Sequence, residues 1–141
     1  MPQEQCGGLT NDLYLCRRAF VMITHNLCPQ MGLADGSTGF VVDIQFRDED
    51  DPKTDLPYCI WVEIDAYSGE SFFEQQERRK WVPILPKVER VSLKSSDDSG
   101  PWCNETRTML PLRLAWAWTV WKAQGQTLRE KVVIDQGPSE R

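Results

Sequence analysis

Leu110-Pro-Leu-Arg-Leu-Ala-Trp-Ala117 and Thr119-Val-Trp-Lys-Ala-Gln-Gly-Gln-Thr127 are the neighbouring stretches that say most about the fold of this chain. Apolar residues recur at helical spacing between positions 114 and 121, which predicts a helix. Gly125 lies where the C-cap of that helix would fall. The run Lys131-Val-Val-Ile-Asp135 is typical of a buried strand in a parallel sheet. With a further strand at 107–112, residues 107–141 predict a strand–helix–strand piece of an α/β sheet.

The residues before this piece show a different pattern, in which short β-prone runs alternate with turns. The run at 40–46 places Val42, Ile44 and Phe46 on one face of a strand. Trp81-Val-Pro-Ile84 predicts an edge strand, because Pro83 cannot donate to a neighbour. The predicted strands lie at 13–15, 20–24, 40–46, 60–64, 81–84 and 88–93. Their number and spacing predict a small barrel, so the fold class is mostly β with a small α/β piece.

Turn and loop signals separate these strands. Asp35-Gly36 predicts a tight turn. Asp48-Glu-Asp-Asp51 predicts a solvated loop, because the ligand spacing and glycine of a calcium loop are absent. Tyr67-Ser-Gly69 predicts another turn, and a polar, charged stretch follows at 74–80. Residues 94–101 predict a flexible loop, and residues 1–12 a lead-in tail.

The charge of the chain is unevenly distributed. The net charge of −5 would by itself argue against a nucleic-acid partner. Residues 1–106 hold 10 Lys+Arg and 18 Asp+Glu, a net of −8, whereas residues 107–141 hold 6 and 3, a net of +3. The basic segment is therefore the one that contains the opening stretch.

The cysteines and the apolar runs exclude several classes of protein. No two of the five cysteines are spaced as zinc ligands usually are, so we expect free thiols and no metal site. No apolar run reaches about 18 residues, so we expect no membrane span. The N-terminus lacks the pattern of a signal peptide, and an intracellular location is expected.

The order of these motifs resembles the C-terminal part of RecD/Pif-type DNA helicases of superfamily one, and most of all their eukaryotic Pif-like members. The resemblance extends from Leu13 to Gly137. Gly32-Leu-Ala-Asp-Gly-Ser-Thr-Gly39 is similar to the family's Gly-Leu-x-Asn-Gly-x-x-Gly turn. The other matching segments are Val21-Met-Ile-Thr-His-Asn-Leu27, Trp81-Val-Pro-Ile84, Leu110-Pro-Leu-Arg-Leu-Ala115, Lys122-Ala-Gln-Gly-Gln-Thr-Leu128 and Val132-Val-Ile-Asp135.

The resemblance implies that the chain contains parts of two structural units. Residues 13–106 would be an SH3-like β-barrel inserted into the second RecA-like (P-loop NTPase) domain, and residues 107–141 would be part of that domain. The parent helicase would bind ATP and Mg²⁺ between this domain and a first RecA-like domain, and would move 5′ to 3′ along single-stranded DNA. The parent helicase would act in DNA repair and recombination, in the nucleus or in mitochondria.

The isolated chain lacks the sequence signatures of an ATPase. It contains no Gly-x-x-x-x-Gly-Lys-Ser/Thr phosphate loop and no Asp-Glu pair at the end of an apolar strand. The family's Ser-Arg motif, which supplies an arginine finger, is also absent. We therefore expect the chain alone to bind no cofactor and to be inactive as an ATPase.

The resemblance implies that Thr119, Trp121, Lys122 and Gln124 face DNA. Hydroxyl, amide and ammonium groups suit phosphate oxygens, as a motor that ignores base sequence requires. Trp121 departs from the family, which usually has His there; an indole can stack on a base but cannot donate through two nitrogens.

Gly125, Gln126 and Thr127 would lie nearer the nucleotide cleft. Two alternatives stay open. The stretch could be an amphipathic helix with an ordinary C-cap, in which Trp116 and Trp118 pack against the core. The whole chain could instead be a non-catalytic module that binds single-stranded DNA or a protein.

Overall fold

Seven β-strands in two sheets make up the regular structure of the described residues. The computed structural model describes residues 12–93, 103–119, 124 and 132–134. The strands are β1 (Phe20–Ile23), β2 (Thr38–Gln45), β3 (Cys59–Glu63), β4 (Trp81–Ile84), β5 (Lys87–Leu93), β6 (Cys103–Met109) and β7 (Leu112–Leu114). Two 3-10 turns lie at Pro29–Met31 and Gln76–Arg78. This content confirms a mostly β fold, and no helix in the described ranges is long and apolar enough to cross a membrane.

The larger sheet has five antiparallel strands in the order β4-β3-β2-β1-β7. One face of this sheet is the core, and Ile60, Val62 and Ile64 alternate into it as their spacing predicts. Burying each such side chain contributes roughly 1.5–3 kcal/mol. The other core residues are Ala19, Val21, Ile23, Leu33, Val41, Tyr67, Val82, Ile84, Leu110 and Leu112.

Strand β2 differs from its prediction because it carries a β-bulge. Val41 pairs with Val62 and Asp43 pairs with Trp61, so the register shifts between positions 41 and 43 and Val42 is the extra residue. The core side chain is therefore Val41, which is 1% exposed. The prediction that Val42 and Ile44 share one face with Phe46 is wrong for Val42, because a bulge resets the alternation of side chains.

The expected barrel is not confirmed. In the described residues, β4 and β7 occupy opposite edges of an open sheet, and β5 pairs only with β6 in a separate two-stranded sheet. Pro83 lies in the edge strand β4, as predicted from its missing N–H.

The segment between β1 and β2 is a compact turn. Gly36 has a φ of 94°, consistent with the predicted Asp35-Gly36 turn. Gly32 has a φ of 82°, and its N–H donates to the carbonyl of Pro29 at 3.0 Å. A Cβ at position 32 would lie 2.0 Å from the carbonyl oxygen of Ala66, so only glycine allows this turn to rest on the segment after β3.

Three sequence predictions are corrected by the structure. Residues 13–15 form no strand, although Leu13 and Leu15 pack partly buried against the core. The helix predicted from position 114 is absent as far as Thr119, because the preceding leucines alternate into the core and β7 completes a ladder on β1. Residues 132–134 are exposed and pair with no strand in the described ranges, whereas a buried parallel strand was predicted.

Strands β1 and β7 bring distant parts of the chain together. Val21 pairs with Leu114 and Ile23 with Leu112. The N–H of Thr24 donates to the carbonyl of Pro111 at 3.0 Å, across 111 − 24 = 87 positions. Strands β2 to β6 lie between β1 and β7 in the sequence, so the chain returns to the side of β1 after it has formed them.

Candidate nucleic-acid interface

The core holds the chain in place immediately before the motif predicted to contact DNA. Leu110 and Leu112 are 2% and 1% exposed, and Ala115 is buried with its N–H donating to the carbonyl of Phe20 at 2.9 Å. Arg113 lies on the opposite face of β7, where its Nη2 contacts Met22 Sδ at 3.3 Å. Three residues separate Ala115 from Thr119, so the start of the motif lies close to a residue that is anchored to the sheet.

The chain becomes exposed directly after Ala115. Trp116 is 69% exposed, and its ring contacts Phe20 with 5.7 Å between centroids. Phe20 in turn contacts Phe40, its partner across the β1–β2 ladder, at 5.0 Å. Trp118 is half-buried, and its Nε1 is buried with no hydrogen-bond partner among the residues that the structure describes.

The alternative in which Trp116 packs against the core is therefore wrong for this residue, because the described residues 115–119 form no helix. Its ring extends a row of aromatic side chains on the outer face of the sheet. The sequence signal was the pair Phe20 and Phe40, but their contact depends on a register that sequence alone does not fix.

Two of the residues predicted at the site are described, and both are exposed. Thr119 follows the anchored segment, and Gln124 lies in a turn. Trp121 and Lys122 lie outside the described residues, as do the residues predicted near the nucleotide, Gly125, Gln126 and Thr127. Their contacts with DNA and with the nucleotide stay predictions.

Charged side chains near the outer face are partly neutralised. Arg17 pairs with Asp43 at 2.7 Å, and the neighbouring Arg18 is exposed with a φ of 69°. Asp43 is the partner of Trp61 in the β2–β3 ladder.

Two titratable groups of the described residues, Cys59 and Glu89, have shifted pKa values. Burial raises the pKa of the Cys59 thiol, with a further contribution from Asp43. A hydrogen bond from Lys87 lowers the pKa of Glu89, and the charges of Lys87 and His25 act in the same direction. No group of three His, Cys, Asp or Glu side chains in the described ranges could hold a metal ion.

Comparison with known proteins finds that the chain is similar to one kind of enzyme. The chain is 33% identical over 110 residues to the ATP-dependent DNA helicase PIF1 of Danio rerio. The alignment covers 78% of this chain but 13% of that helicase, so the chain spans a small part of its relative. No protein-family model matches the chain.

Solved structures show a similar fold. A crystal structure of a Pif1 helicase from Bacteroides, in complex with ADP-AlF3 and ssDNA, matches 90% of this chain and 24% of its own with a TM-score of 0.52 and 22% identity. An unliganded Pif1 structure from Bacteroides sp. has a TM-score of 0.48 and 22% identity over 85% of this chain and 31% of its own. The chain is therefore similar in sequence to a segment of a Pif1 helicase, and its fold is like part of the first Bacteroides structure.

Proposed function

We propose that this chain is a segment of an ATP-dependent DNA helicase that moves 5′ to 3′ and that this segment contributes contacts to single-stranded DNA. The observation that carries the proposal is the sequence similarity to the Danio rerio helicase over most of the chain. The parent enzyme would bind ATP and Mg²⁺ with a first RecA-like domain as the partner of this segment. An intracellular site of action, in the nucleus or in mitochondria, belongs to the same proposal.

The proposed DNA contact is the motif that follows β7. The hydroxyl of Thr119, the ammonium of Lys122 and the amide of Gln124 would bind phosphates, and Trp121 would stack on a base. The exposure of Thr119 and Gln124 supports this role. Gly125, Gln126 and Thr127 would connect the contact to the nucleotide cleft.

The proposed architecture is an SH3-like element inserted into the second RecA-like domain. Support comes from β1 and β7, which lie side by side although β2 to β6 intervene in the sequence. An insertion needs such adjacent points of departure and return. Closure of a barrel by residues 13–106 is the part of the proposal that a structure of the longer protein would test.

A second function, a non-catalytic module for single-stranded DNA or a protein, is favoured by one observation. Phe40 and Trp116 are 48% and 69% exposed on one face of the sheet. Exposed aromatic rings suit base stacking as well as protein docking. Neither proposal predicts ATP turnover by the isolated chain with single-stranded DNA, so a rate well above blank would contradict both.

Fluorescence anisotropy with a short labelled oligothymidylate tests the DNA contact. We expect Lys122→Ala to weaken binding at low salt and to reduce the salt dependence by about 0.7 per lost phosphate contact. Lys53→Ala is the matched control, because Lys53 is exposed in the loop after the acidic run. Equal affinities for the Lys122→Ala and unmodified chains would refute the role assigned to this motif.

A further inference from the structure

The connection between β3 and β4 folds into a cluster of aromatic and basic side chains. We call Tyr67, Ser68, Phe72, Arg79 and Lys80 the β3–β4 corner. The sequence predicts only a turn at 67–69 and a polar stretch at 74–80. The structure brings these two segments together, so the corner has a chemistry that neither segment shows alone.

Phe72 presents an exposed ring on a fixed support. Its ring is 55% exposed and stacks on Tyr67, with 6.4 Å between centroids and 22° between planes. The ring of Trp61 lies edge-on to it, with 6.1 Å between centroids. Contacts on two sides restrict the rotamers of Phe72 while part of the ring stays open to solvent, so little further ordering is needed to stack a ligand on it.

Tyr67 is itself held by its surroundings. It is 8% exposed, and its hydroxyl donates to the carbonyl of Glu70 at 2.8 Å. A Cβ on Gly69 would lie 2.4 Å from that hydroxyl oxygen, so glycine is required beside it. The support under Phe72 is therefore part of the core.

The basic residues of this connection have different roles. The guanidinium of Arg78 lies over the rings of Trp81 and Phe73, at 5.0 and 5.5 Å from their centroids. Lys80 donates to the carbonyl of Asp65 at 2.6 Å and lies 3.5 Å from its carboxylate. Arg79 is exposed, and no carboxylate pairs with it within the part of the chain that the structure describes.

Arg79 and Lys80 line an open cavity of about 200 Å³ with Tyr67, Ser68 and Gly69. A water molecule in the liquid takes about 30 Å³, so the cavity holds several waters or one phosphate group. Tyr67 contacts both the cavity and Phe72. An anion in the cavity would therefore lie beside a group stacked on the Phe72 ring.

We propose that the β3–β4 corner is a second contact for single-stranded nucleic acid, in which one base stacks on Phe72 and a neighbouring phosphate enters the cavity between Arg79 and Lys80. Aromatic rings beside cations are the combination that binds single strands without regard to sequence. The Ser68 hydroxyl adds a donor for a phosphate oxygen. A base paired within a duplex could not reach the ring.

A protein partner fits the corner less well than a nucleotide. The exposed apolar surface here is one ring, and the adjoining cavity is lined by two cations and a serine. A docked apolar segment would desolvate both cations and would offer Arg79 no partner, which is costly. A phosphate would instead neutralise them.

This inference takes its ligand from the proposed function but uses none of the residues at 119–127, so the two can fail separately. Anisotropy titrations with oligothymidylate would compare the unmodified chain with Phe72→Leu and Arg79→Gln. Tyr14→Leu and Lys53→Gln are matched controls, since Tyr14 is 82% exposed and Lys53 is exposed, both outside the corner.

We expect Phe72→Leu to weaken binding by about 5- to 100-fold, the range for losing one stacked base. On an abasic deoxyribose-phosphate strand the same variant should bind as the unmodified chain does. Arg79→Gln should reduce the salt slope by about 0.7, and both control variants should bind normally. Unchanged urea midpoints show that each variant is folded.

Photocrosslinking of the unmodified chain to a bromodeoxyuridine strand is the measurement that needs no variant, and a crosslink at Tyr67 or Phe72 is expected. Normal binding by Phe72→Leu and Arg79→Gln, or crosslinks only elsewhere, would overturn the inference and leave the corner to a protein partner. An effect of Phe72→Leu without an effect of Lys122→Ala would support the corner and refute the motif. Absence of any binding would overturn both.

Discussion

Gly32→Ala tests whether the turn before β2 rests on the segment after β3. An alanine at a φ of 82° costs about 1–2 kcal/mol from the left-handed conformation alone. Its Cβ would also lie 2.0 Å from the carbonyl oxygen of Ala66, where real contacts stay above 3.0 Å. The two backbone segments must therefore separate by about 1 Å, since 3.0 − 2.0 = 1.0 Å.

That separation lengthens the hydrogen bond that joins the segments. The N–H of Ser68 donates to the carbonyl of Met31 at 3.1 Å. Such a bond contributes about 0.5–1.5 kcal/mol, so with the cost of the left-handed conformation the total destabilisation is about 1.5–3.5 kcal/mol. A urea midpoint lower by roughly 1–3 M is expected for a domain of this size.

Gly32→Asn separates the two causes. Asparagine tolerates the left-handed conformation but carries a Cβ, so it should be nearly as unstable as the alanine variant. Recovery of most of the stability by asparagine would show that φ, and not the contact with Ala66, sets the cost. A loss below about 1 kcal/mol for Gly32→Ala would refute the reasoning for both terms.

Three other predictions concern the core and its titratable groups. Ile60→Ala should lower the free energy of unfolding by about 2–5 kcal/mol and Ile60→Val by about 0.5–1.5, because Ile60 is fully buried; equal urea midpoints would contradict that burial. The pKa of Glu89 is lowered, so the carboxylate of Glu89 stabilises the fold at pH values above the ordinary pKa of glutamate. This stabilisation is lost as the pH falls through the lowered pKa. Glu89→Gln should therefore lower the urea midpoint at neutral pH but not at strongly acid pH, and a constant difference would argue against the Lys87 contact. The pKa of Cys59 is raised, so stability should fall as pH rises above the thiol's ordinary value, and mass spectrometry after native alkylation should find Cys16 labelled long before Cys59.

Local patterns predicted the strands whose side chains simply alternate. Ile60, Val62 and Ile64 needed only a period of two, and Pro83 placed β4 at an edge. The face of β2 could not be predicted, because the bulge at Val42 leaves no mark in the composition of the strand.

Contacts between distant segments explain the other differences. The apolar residues from Leu114 onward fit a helix in isolation, and the ladder with β1 instead makes Leu112–Leu114 a strand. The β3–β4 corner was missed for the same reason, since the stacking of Phe72 on Tyr67 depends on how a connection folds back. For the DNA motif, the sequence indicated Thr119 as a surface residue, and its exposure agrees.

The pairing of β1 with β7 affects how the chain folds during translation. Val21 leaves the ribosome 114 − 21 = 93 positions before its partner Leu114. At about 5–20 residues per second, this side of β1 stays unpaired for roughly 5–20 s in the nascent chain. During that interval the apolar strand is an open edge that another chain can join. The rate at which β7 pairs with β1 after its synthesis would then decide how much of the protein escapes aggregation.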